Sequence, residues 1–160
     1  MADSTYTVAR EATIAAPPER IYPELVDFRR WQAWSPWEDL DPELRRTYSG
    51  ADAGTGAHYA WSGNRKAGQG SMEITRAQEP SAVDIDLTFE KPFKARNKTS
   101  FAIAPAGEGA SHVTWTMTGQ TTFMTKVMGI FKSMDSLVGP DFEKGLARLK
   151  ATAESPPPPA

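Results

Sequence analysis

The chain contains no cysteine. That removes disulfides, thiolate metal sites and cysteine nucleophiles, and it fits a reducing compartment, so a cytoplasmic location is expected. Histidine is nearly as scarce: His58 and His112 stand far apart with no ligand motif beside either, and both are expected at the surface. Neither a metal site nor a Ser-His-Asp arrangement is readable, and no cofactor is expected. Basic residues hold no majority, with 18 Lys and Arg against 20 Asp and Glu, and no basic-aromatic interleaving occurs, so nucleic acid is not an expected partner. Long apolar runs are missing too, which argues against an integral membrane protein. The first residues, MADSTYTVAR, have neither a positive leader nor an apolar stretch, so the mature chain is expected to begin there.

With 160 residues, 39% of them hydrophobic and 24% charged, the chain suits one folded domain, read here as residues 1–154. The closing ESPPPPA cannot continue a helix, and residues 155–160 are expected to form a disordered tail. The sequence specifies no oligomeric state.

Phe123 to Leu149 carries apolar residues at Met124, Val127, Met128, Phe131, Met134, Val138, Phe142, Leu146 and Leu149, steps of three and four that predict an amphipathic helix. At about 1.5 Å per residue it would span roughly 40 Å, enough to cross a small domain. Gly139-Pro140 predicts a kink or a short break, because proline lacks an N–H and crowds the preceding turn. The methionines of its first half fit either gap-filling in a core or adaptable contact with a ligand.

Upstream, Tyr6 to Ile14 reads as a first strand with Tyr6, Val8, Ala12 and Ile14 on one side. Pro18 then starts a short helix that presents Ile21, Leu25, Val26 and Phe28, and a second helical turn carries Phe28 to Trp31. Trp31, Trp34 and Trp37 follow within seven residues. That knot reads first as a packed corner seating the short helices, and second as a lid over a ligand.

From Leu44 onward, strands alternate with glycine-rich turns: Leu44–Tyr48, Ala57–Trp61, Gly70–Ala77, Val83–Phe89, Lys94–Ala104 and Ser111–Thr118. The strictest alternation is Val83-Asp-Ile-Asp-Leu-Thr-Phe89. A hairpin closing near Pro92-Phe93 would set Glu90 opposite Arg96 and Asp86 diagonal to Lys98, an exposed charge ladder rather than an acid-base pair. Strand, two short helices, six strands and one long helix predict an α+β fold in which a seven-stranded curved antiparallel sheet wraps the C-terminal helix.

Four segments, Ala15-Ala-Pro-Pro-Glu-Arg-Ile21, Trp31-x-x-Trp34-Ser-Pro-Trp37, Tyr59-x-Trp61-x-Gly63-Asn64 and Gly139-x-x-Phe142-x-x-Gly145-Leu146-x-x-Leu149-Lys150, occur in an order that resembles the START/Bet v 1-like superfamily. Within it, the chain looks like the bacterial SRPBCC proteins, polyketide cyclases/dehydrases and lipid carriers. The resemblance covers about Thr5 to Glu154 and implies a helix-grip fold with an internal cavity between sheet and helix. Checked against strand parity, that cavity would be lined by Tyr59, Trp61, Met72, Ile74, Ile85, Leu87, Phe89, Asn97, Phe101, Ile103, Trp115 and Met117, with Met124, Met128, Phe131 and Met134 from the helix. Thr99 shares the parity of Asn97. A mainly apolar lining with a few hydrogen-bonding groups suits binding or transport of a small hydrophobic molecule, lipid or polyketide-like. The same side chains packed against one another would leave a dry core. No catalytic residue is assigned, since no inward histidine or thiol is available for acid-base or nucleophilic work. A polyketide cyclase/aromatase acting by shaping its substrate, and a co-chaperone-like interaction domain, are the alternatives the resemblance leaves open.

Overall fold

A computed structural model describes residues 5–35, 41–64, 68–91, 95–120 and 134–155. Strand β1 (Thr5–Ile14) leads into helix α1 (Pro18–Val26) and a 3-10 helix (Phe28–Ala33). Strands β2 (Arg45–Gly50), β3 (Ala57–Ser62), β4 (Gln69–Gln78), β5 (Ala82–Lys91), β6 (Ala95–Pro105) and β7 (Ser111–Gln120) follow, and helix α2 (Met134–Glu154) ends the order. They form one seven-stranded sheet in the order β1-β7-β6-β5-β4-β3-β2, with every neighbouring pair antiparallel. Consecutive strands therefore meander, and β1 closes against the last of them.

Local chemistry explains the entry to the sheet. Pro18 occupies the start of α1, where the missing N–H costs no helical bond, and Glu19 lies near the positive end of the helix dipole. The last carbonyls of a helix have no partner within it. Here two indoles supply the donors: Trp34 Nε1 donates to the Glu24 carbonyl at 3.0 Å and Trp31 Nε1 to the Leu25 carbonyl at 3.0 Å. A 3-10 helix repeats every three residues, so the spacing Trp31-x-x-Trp34 puts both rings on one face, with centroids 4.7 Å apart. Trp31 and Trp34 are thus built into the corner, as the packed-corner reading requires. Trp37 lies outside the described residues.

Beneath that corner the core is aromatic. Phe101 meets Trp31 and Trp34 edge-on, both at 5.9 Å, and stacks on Trp115 at 5.0 Å; Trp115 in turn stacks on Phe142 of α2 at 4.1 Å with planes 3° from parallel. Burial of each large ring stabilises by roughly 2–3 kcal/mol, and each aromatic pair adds about 0.5–1.5 kcal/mol. Phe142, Leu146, Leu149 and Ala153 are the buried stripe of α2, spaced by three and four as the periodicity predicts.

Three details differ from the sequence reading. Helix α2 is one continuous helix through Gly139-Pro140, without the short break that was one of the two expectations there, and it ends at Glu154, five residues past Leu149. Pro140 is exposed, so water can bond the carbonyl left without an N–H, while Gly139 is buried because the Arg10 guanidinium of β1 occupies the space a Cβ would fill. The β5–β6 register lies two residues from the expected one: Thr88, not Glu90, faces Arg96, and Asp86 stands directly opposite Lys98. A shift of two keeps every side chain on its predicted face, so the apolar pattern could not detect it. The expected Met124, Met128 and Phe131 positions fall outside the described residues, as do residues 156–160 of the expected tail.

Candidate functional site

Alternation along each strand sends one set of side chains to the concave face, and the registers assemble them into cross-strand rows. One row runs through Tyr48, Tyr59, Met72, Leu87, Asn97, Gly119 and Tyr6, from edge strand β2 to edge strand β1. The next joins Ile74, Ile85, Thr99, Met117 and Val8, and a third joins Val83, Phe101, Trp115 and Arg10. On the opposite side of the first row stand Arg46, Trp61, Gly70 and Phe89. Every described residue of the expected lining set lies on this one face, apart from Met134, whose side chain is not among those described.

Burial divides the face in two. Ile74, Ile85, Phe101, Ile103, Trp115 and Met117 are all at most 4% exposed, with Trp31, Trp34 and Phe142 packed on the Phe101 and Trp115 rings. These six side chains are packed core. Trp61, Met72, Leu87 and Phe89 point the same way yet remain partly exposed, although Tyr59 between them is buried. The apolar residues available to a guest are therefore at the β3–β4–β5 end of the concave face.

Two glycines shape that end. At Gly70 an added Cβ would collide with the Trp61 ring, so the indole of β3 lies across β4 and reaches Phe89 of β5, edge-on at 5.9 Å. At Gly119 an added Cβ would collide with Asn97 Oδ1 and the Tyr6 hydroxyl, so the phenol of β1 crosses β7 and donates its proton to the Asn97 carbonyl of β6. Adjacent strands are about 4.8 Å apart, and two side chains separated by an intervening strand can meet only where that strand carries no side chain. Tyr6 was expected on the inner side of β1 but not as a site residue. Its pairing depends on the registers of both β1 with β7 and β6 with β7, and the only local sign of it is the glycine at 119.

Burial raises the Tyr6 phenol above its ordinary value of 10.0, so it stays neutral near pH 7. Asn97 and Thr99 are buried as well, and Thr99 Oγ1 has no hydrogen-bond partner among the described residues. A buried hydroxyl without a partner carries a desolvation cost of about 1–3 kcal/mol. The two histidines are elsewhere: His58 contacts Ser49 Oγ at 3.2 Å and His112 lies 3.1 Å from Glu11, both on the outer face. No cluster of metal-ligating side chains exists among the described residues. An open cleft of about 380 Å³ lies at the β1 edge between Ala9, Arg10, Glu11, Thr114 and Glu143; it contains none of the expected lining residues.

Against known proteins, the model of the family described as polyketide cyclase / dehydrase and lipid transport matches residues 5–154. No curated protein sequence matches the chain. Among solved structures, a protein from Thermobifida fusca is similar at a TM-score of 0.68 and 19% identity, over 92% of each chain. One from Chromobacterium violaceum is similar at a TM-score of 0.66 and 14% identity, over 94% of this chain and 99% of that one. Norcoclaurine synthase from Thalictrum flavum, in complex with dopamine and hydroxybenzaldehyde, reaches a TM-score of 0.70 at 10% identity, over 97% and 91%. At these identities the likeness establishes the Bet v 1-like helix-grip fold alone.

Proposed function

The chain belongs to the polyketide cyclase / dehydrase and lipid transport family, and from that premise we propose that it binds a small hydrophobic molecule reversibly on the concave face of its sheet, as a carrier and not as a catalyst. The observation that carries this reading is the split burial of one continuous apolar face: Trp61, Met72, Leu87 and Phe89 point inward yet keep exposure, whereas the rows beside them are sealed. Leaving four large apolar side chains partly wet forfeits several kcal/mol of burial, at about 25 cal/mol per Å², and a guest would recover it. Catalysis finds less support. The inward polar groups of the open rows are phenols, an amide and a guanidinium, and neither histidine faces them.

The reading takes residues 1–154 as one domain whose work is done in the cytoplasm; no described helix is long and apolar enough to cross a membrane. A cyclase is the second reading, favoured by one observation, the partly buried Tyr6 phenol on the ligand face. Both are tested by titrating the protein with fatty acids, sterols and aromatic polyketides while following tryptophan fluorescence, with mass spectrometry of each mixture. The carrier reading expects saturable quenching that weakens in Trp61→Phe, with every probe recovered at its original mass. A new product mass would overturn it in favour of the cyclase, and absence of binding across the panel would leave the interaction domain.

A further inference from the structure

We propose that Tyr6, Asn97 and Thr99 form a neutral hydrogen-bonding anchor that selects apolar ligands carrying one uncharged carbonyl or hydroxyl oxygen over ligands carrying a carboxylate. This rests on the concave face being the ligand site, and it names the chemical class that site takes.

The anchor is built rather than incidental. Asn97 and Thr99 are two residues apart on β6, so both point to the concave face, about 7 Å apart. Opposite them on β7 stand Gly119 and Met117, and on β5 Leu87 and Ile85. Gly119 admits the Tyr6 phenol, whose proton goes to Asn97 Oδ1. That bond fixes the amide: its carbonyl end is held by the phenol, and its Nδ2 end, with two N–H donors, is the end left to turn toward a guest. Thr99 Oγ1, without a partner among the described residues, offers a second donor or acceptor at 5% exposure. An oxygen placed between Nδ2 and Oγ1 would satisfy the orphan hydroxyl, and the partly exposed Met72 and Leu87 side chains of the same row would take an apolar body.

Charge decides between a neutral oxygen and a carboxylate. The phenol is held neutral by burial, and the amide and hydroxyl carry no charge. Among the described residues, the inward cation on β1 is Arg10, four residues from Tyr6, about 13 Å along the strand, and its Nε lies 3.3 Å from Glu143. Arg46 is on the far edge strand β2, four strands and about 19 Å from Asn97. A carboxylate at the anchor would be desolvated without a counter-charge from the described residues, which costs far more than its hydrogen bonds return.

The test uses three probes with one apolar body: naphthalene, 2-acetylnaphthalene and 2-naphthoate, measured by equilibrium dialysis against the full chain. The ketone should bind about tenfold more tightly than naphthalene, ~1.4 kcal/mol, and the naphthoate no more tightly than naphthalene. In Asn97→Leu and in Thr99→Val the ketone-to-naphthalene ratio should fall toward one. Cooperative melting of each variant establishes that it folds. If Asn97→Leu does not fold, Thr99→Val and Tyr6→Phe decide the matter by the same ratio. A wild-type ratio near one, naphthoate as the tightest ligand, or a ratio that survives the substitutions would overturn the anchor while leaving the hydrophobic site standing. Retention of none of the three probes would overturn the site and the anchor together.

Discussion

Replacing Phe142 with alanine removes the contact that docks α2 onto the sheet. The ring is 1% exposed and stacks on Trp115 at 4.1 Å with planes 3° apart, and Trp115 is itself packed between Phe101 and Trp34. Six ring carbons are lost from a site walled by rigid aromatics, which cannot collapse far into the space. The cost should therefore fall at the upper part of the range for Phe→Ala, about 4 kcal/mol, of which the stacked pair accounts for about 1. For a domain of this size each kcal/mol moves the midpoint by about 2–4 °C, so the melting temperature should drop by roughly 8–16 °C. Urea unfolding followed by tryptophan fluorescence would show the same loss as a lower midpoint with an unchanged slope, because the denatured surface is the same. Phe142→Leu, which keeps most of the volume, should cost less than half as much. Glu143→Ala, one residue away and 62% exposed, should change stability by less than about 0.5 kcal/mol. A loss below about 1 kcal/mol in Phe142→Ala would refute the placement of α2 on the sheet.

Glu24 is 5% exposed and accepts from Arg20 at 3.0 Å and Arg30 at 3.1 Å, while Arg20 also donates to the Thr152 carbonyl of α2 at 2.9 Å. Glu24→Leu should destabilise by about 1–3 kcal/mol in urea melts, below the cost of breaking a wholly buried pair because Arg30 is half exposed. Glu154 is held below its ordinary value of 4.5 by hydrogen bonds from Lys150 and the Ala15 N–H. A carboxylate with a lowered folded value stabilises above pH 4.5 and loses that contribution as pH falls through the folded value. The difference in melting temperature between wild type and Glu154→Gln should accordingly be largest near neutrality and shrink toward pH 3. Tyr6 behaves with the opposite sense: its raised phenol should be a late ionisation in a spectrophotometric titration above pH 10, missing from Tyr6→Phe, and wild-type stability should fall more steeply than that of the variant as pH rises through this range.

The fold was readable because its signals are local. Alternation in Val83–Phe89, the three-and-four spacing of Phe142, Leu146 and Leu149, and Pro18 at a helix start each act within a few residues. They place the strands within about two residues of their observed ends, and parity alone puts the described lining candidates on one face. What parity does not carry is depth. Phe101 and Leu87 share a face, yet the aromatic corner seals one and leaves the other partly open, and that difference comes from Trp31 and Trp34 tens of residues away. Register is the second blind spot: a slip of two preserves every face, so the Glu90–Arg96 pairing looked as sound as the observed Thr88–Arg96. The Tyr6–Asn97 contact needed two registers at once, and only Gly119 marked it. Arg10 shares the inward parity of Val8, where a charge looks misplaced until Gly139 and Glu143 are seen beside it.

Carbon-13 methyl labelling of methionine followed by NMR locates a bound ligand directly, since Met72 and Met117 sit on the concave face. With 2-acetylnaphthalene at saturation, the Met72 methyl should shift strongly through the ring current of the probe, and the Met117 methyl should move with it. Saturable binding that leaves the Met72 and Met117 methyls fixed would place the ligand elsewhere on the molecule and contradict a binding site on the concave face.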